Sequence, residues 1–117
     1  MDSILITMKA MLGISPDDNA FDMELIVHIN SIISILRQLG IPGSVSVLAG
    51  PKTKWTDVFG TDDYEKMELV KTFMYLRLRL LFDPPSASNT ANAFEQMAKE
   101  YEWRLNVDAW NQTSETE

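Results

Sequence analysis

Residues 69–85, LVKTFMYLRLRLLFDPP, constrain the fold more than any other stretch of the chain. Leu69, Val70, Phe73, Met74, Leu76, Leu78, Leu80, Leu81 and Phe82 take up most of the circumference of a helix. A helix that is apolar nearly all round must be covered on several sides, so it is central to its domain. Its end is equally fixed. Asp83 precedes Pro84, and a residue before proline avoids the α region, so the helix stops there. Its start falls near Asp63, where Asp62 and Glu65 have the spacing of a capping box.

Three further segments can cover that helix. Ile4, Leu5, Met8, Met11 and Leu12 recur at helical spacing from about Ser3 to Leu12, and Gly13 stands at the stop position. The second segment runs from about Asp22 to Leu39, with a stripe of Leu25, Ile29, Ile32, Leu36 and Leu39. Asp22 is placed to cap it, and Phe21 to pack on Ile26 as a hydrophobic staple. Gly40 sits where a left-handed residue is needed, and Ile41 beyond it can touch Leu36, the pattern of a Schellman ending. The last segment runs from about Ser88 to Val107 on a stripe of Phe94, Met97, Ala98, Tyr101 and Leu105. Glu95/Lys99 and Glu100/Arg104 are i,i+4 pairs along it. Residues 108–117, polar and acidic, read as a flexible tail.

Between the second and third helices, residues 41–60 break the helical pattern with glycines and prolines. The run SVSVL alternates like a short strand, and TKWTDVFG fits a strand or one helical turn. The expected fold is therefore all-α, a small four-helix bundle with a loop or short β-hairpin inserted at about 41–60. Long connectors in compact domains are often functional. Deleting 44–60 is expected to spare the helical fold and abolish assembly.

The chain's 117 residues fit one domain, taken as 1–107. No cysteine is present, which removes disulfides, thiolate metal sites and cysteine nucleophiles. A net charge of −7 repels phosphate backbones and disfavours DNA binding as the main role. No apolar run approaches the roughly 20 residues that span a bilayer, and MDSILITMKAML lacks the basic region of a signal peptide.

Candidate chemistry is sparse. His28, the single histidine, has no partners at metal-ligand or catalytic spacing and reads as structural. Asp17/Asp18 and Asp62/Asp63 precede or begin helices, where negative charge meets the dipole. No phosphate loop, calcium loop or G-x-S-x-G frames a site. The expectation is a protein without enzymatic activity or cofactor.

Arg77 and Arg79 remain, two charges among leucines about 200° apart on the helical wheel. They have an internal reading, an ion pair with Asp83, Glu100 or Glu102, and an intersubunit one. Trp103 reads as core or core edge. Trp55 anchors the insertion onto the helices, and with Val58 and Phe59 it is also a candidate partner contact. Trp110, alone in a polar tail, either packs back or anchors a partner.

MLGISPDDNAFDMELIVHINSIISILRQLGI, KWTDVFG, VKTFMYLRLRLLFDPP and EWRLN, taken in order, resemble the small head–tail connector (adaptor) proteins of tailed phages and prophages of Gram-positive bacteria. The resemblance covers residues 3–107. It implies a helical bundle with a protruding loop, no enzymatic activity and a place in the virion neck after synthesis in the host cytoplasm. It implies a ring, dodecameric in the family, beneath the portal protein, which extends the DNA channel and docks a head-closure or tail protein. DNA would pass without sequence-specific binding. Phe21, Asp22, His28, Asn30, Gly40, Trp55, Asp83, Pro84, Trp103 and Arg104 read as fold and assembly residues. The competing reading is a small acidic helical regulator that binds one host protein.

Overall fold

The computed structural model describes residues 3–41, 52–59 and 64–116, and the side chains of 3–41, 52–59 and 67–106. These residues form five helices and no strand: α1 (Ile4–Leu12), α2 (Asp22–Gln38), α3 (Trp55–Phe59), α4 (Tyr64–Phe82) and α5 (Ser88–Thr116). The all-α expectation holds. The hairpin run SVSVL and the Asp62–Glu65 capping box fall on or across residues outside those described.

Local signals set the helix ends. The Ser3 hydroxyl accepts the Ile6 N–H at 3.3 Å and opens α1, and Gly13 closes it at φ 80°. The α2 ending is a complete Schellman motif. Ile41 N–H donates to the Leu36 carbonyl at 3.0 Å, Gly40 N–H donates to that of Arg37 at 3.0 Å, and Gly40 takes φ 99°.

The start of α2 departs from expectation. Phe21, not Asp22, is the cap residue, and no side chain caps the helix. Asp22 lies inside the first turn and its carboxylate accepts Lys9 Nζ at 2.9 Å. The Phe21 ring meets Phe82 edge-on with centroids 5.4 Å apart, which ties the start of α2 to the end of α4.

The central position read for the third sequence segment is found in α4. It packs on α1, α2 and α5. Val70, Phe73, Met74, Leu76 and Leu78 are buried, while Leu81 reaches solvent. The opposing stripe of α2 buries Leu25, Ile29, Ile32, Ile33 and Leu36, and α1 adds Ile4, Leu5 and Met8.

The second half of the inserted segment belongs to this core. Trp55, Val58 and Phe59 are buried in the same apolar cluster as α1, α2 and α4. Trp55–Phe59 of TKWTDVFG thus take the helical of its two options. The segment is pinned from both sides. Ile4 N–H donates to the Thr53 carbonyl at 3.0 Å, and Trp55 Nε1 donates to Thr7 Oγ1 at 3.1 Å. The four long helices do not complete the core alone, so deleting 44–60 should remove part of the core rather than spare the fold.

At the other end, α5 continues to Thr116, past the Val107 boundary that the sequence stripe suggests. The apolar stripe fails there, but no proline or glycine interrupts the backbone.

Candidate functional site

The two arginines of α4 resolve to neighbours within the chain. Arg77 Nη2 donates to Glu102 Oε2 on α5 at 2.9 Å, and its guanidinium lies over the Phe73 ring at 5.6 Å. Arg79 Nε donates to the Asp83 carbonyl and stands 3.6 Å from its carboxylate, and Arg79 sits over the Phe94 ring at 5.8 Å. Each arginine is about one-third exposed, with sides at 33% for Arg77 and 30% for Arg79. Within the single chain, both arginines have internal partners. The carboxylate of Asp83 answers Arg79 rather than Arg77 or Arg104. Arg104 pairs with Glu100, 2.9 Å away one turn back on α5. Pro84 is exposed in the turn that reverses the chain into α5.

The remaining expected residues divide by burial. Trp55, Val58 and Phe59 turn their side chains into the core, which gives them a packing role in this chain. His28 and Asn30 are half-buried on α2. Trp103 departs most from expectation: it is 67% exposed rather than core. It lines an open groove of about 470 Å³ with Leu39, Arg77, Lys99, Glu102 and Asn106. Asn106 donates to the Leu39 carbonyl at 3.4 Å, which ties α5 to the end of α2. Trp110 follows Trp103 by two helical turns, at the same register position on α5.

Two features escape sequence reasoning. Lys9 is buried to 2% exposure, and its ammonium donates to the Asp22 carboxylate and to the Pro16 carbonyl at 3.2 Å. Its signal is positional: it follows Leu5 by four residues, which places it near the apolar stripe of α1. The second is a set of exposed apolar side chains on α2, Met23 at 81% and Val27 at 59%. They stand one turn apart, directly opposite Leu25 and Ile29, so the wheel shows them as an apolar ridge on the outer face.

Among the described residues, no group of histidine and acidic side chains is placed to hold a metal ion. No helix among them is long and apolar enough to cross a membrane. What the described surface offers is exposed aromatic and apolar side chains, chiefly Trp103, Met23 and Val27.

The chain belongs to the phage connector protein family, whose model matches residues 4–112. The family is a structural, non-enzymatic kind of virion protein. No curated protein and no solved structure matches the chain. The match runs past Val107 and takes in the stretch of α5 that carries Trp110, which the resemblance read from sequence left out.

Proposed function

We propose that the chain is a head–tail connector that assembles as a ring beneath the portal protein, extends the DNA channel and docks the next neck or tail protein. The observation that carries this reading is the connector-family match across residues 4–112. Two physical features support it. The net charge of −7 means that a ring of copies would repel the duplex rather than grip it, which suits passage. The helical frame is fixed by internal ion pairs and a core that includes α3, which leaves exposed aromatic and apolar side chains for neighbours. No observation favours the regulator reading.

Electron microscopy of the chain mixed with its cognate portal tests the proposal. The expected result is ring density under the portal, with the chain present in tailed particles. Portal without added density, together with particles that lack the chain, refutes it.

A further inference from the structure

Two unlike surfaces of the protomer stand uncovered. On α2, the residues opposite the core are Met23, Val27, Ser31 and Ser34, all exposed. None of them is charged, whereas a helix face meant only for water is usually charged and polar. At its edge Glu24 is exposed and makes no ion pair among the described residues. On α5, Trp103 stands opposite the buried Ala98 and Leu105. Lys99, one turn before Trp103, makes no ion pair among the described residues, although Glu95 lies one turn before it.

From these surfaces we infer that the outer face of α2 on one copy seats against the Trp103 face of α5 on the next copy. This rests on the ring assembly proposed above and names the surfaces that would build it. The α2 face offers methionine, valine and small hydroxyls, which adapt to a large flat ring. A tryptophan two-thirds exposed is the side-chain type that anchors interfaces. The charges match in the same sense: Glu24, without an ion pair among the described residues, borders the α2 face, and Lys99, likewise without one among them, borders the tryptophan. The two surfaces lie on different helices and differ in chemistry, so neither satisfies itself across a two-fold axis. Contact between unlike surfaces is heterologous, and when the rotation closes it makes a ring.

The chain has no cysteine, so introduced thiols are the only ones present. Ser31→Cys and Gln96→Cys place one thiol beside each surface without removing Met23, Val27, Glu24, Lys99 or Trp103. In rings assembled on the portal, a short thiol-reactive cross-linker should join the double variant into a ladder beyond the dimer. Mixed single variants should stop at a dimer. Rings that form without cross-links overturn this interface and leave the ring reading standing. Cross-linking of Ser31→Cys to itself, or to a protein other than this chain, also overturns it. Absence of rings from the wild-type mixture overturns both.

A second variant separates binding from folding. Met23→Glu changes a side chain already in water, so circular dichroism and thermal unfolding should match wild type while ring occupancy falls at least tenfold. Glu24→Lys should lower occupancy and Lys99→Glu in the same chain should restore it. Wild-type occupancy in Met23→Glu, or no restoration in the double charge reversal, refutes the pairing.

Discussion

Replacing Asp22 with serine separates two accounts of that residue. If Asp22 were a helix cap, serine would substitute almost freely, because both are favoured caps. In the structure Asp22 is instead the counter-charge of Lys9, 2.9 Å away, with Lys9 2% exposed and Asp22 22% exposed. Removing one partner of a buried pair leaves a desolvated charge behind, at a cost of about 3–5 kcal/mol. Lys9 keeps its bond to the Pro16 carbonyl and Asp22 is partly wet, so the lower end applies, about 3 kcal/mol. Lys9→Met behaves differently. It keeps the buried stem, removes the desolvated ammonium and leaves a carboxylate that water can reach, so its cost should stay near ~1 kcal/mol. Adding Asp22→Ser to Lys9→Met should then cost little more. The assay is urea unfolding followed by circular dichroism. With a slope of roughly 2 kcal/mol per molar, Asp22→Ser should lower the midpoint by about 1.5 M. The double-mutant cycle should return a coupling of about 2–3 kcal/mol. An Asp22→Ser midpoint within about 0.3 M of wild type, with an additive cycle, would refute the buried-pair account.

Other substitutions probe other parts of the frame. Trp55→Ala removes a buried ring and its bond to Thr7, so it should cost about 3–5 kcal/mol by denaturant titration, and deleting 44–60 should abolish the cooperative thermal transition. Gly40→Ala forces a side chain into φ 99° and should destabilise by about 1 kcal/mol, seen as a drop in melting temperature of a few degrees. Arg77→Met breaks an ion pair that is one-third exposed on both sides, so its change in unfolding free energy should stay within about 1 kcal/mol.

What could be read from sequence was what a few neighbouring residues encode. The apolar circumference of 69–82 placed that helix at the centre, because no other environment accepts it. Pro84 stopped it at Phe82, and Gly40 with Ile41 closed α2 in a Schellman turn, because these signals act within one helical turn. Asp22 has the look of a cap in the sequence because a capping residue and an ion-pair partner are alike until what lies opposite is known. The same limit explains Trp103: a tryptophan in a helix of uncertain rotation is read as core by its size.

An acidic all-helical chain, the order and ends of most of its helices, and a resemblance to phage connectors that the family match bears out are legible in the residues alone. Tertiary structure alone decided the partners. Lys9 meets Asp22 across 13 residues, Arg77 meets Glu102 across 25, and Trp55 meets Thr7 across 48. These contacts depend on how each helix is rotated and where α4 holds it, and that follows from packing the whole core at once. The same packing drew α3 inward and turned Met23, Val27 and Trp103 outward, so the surfaces left for assembly were set by what the core did not need.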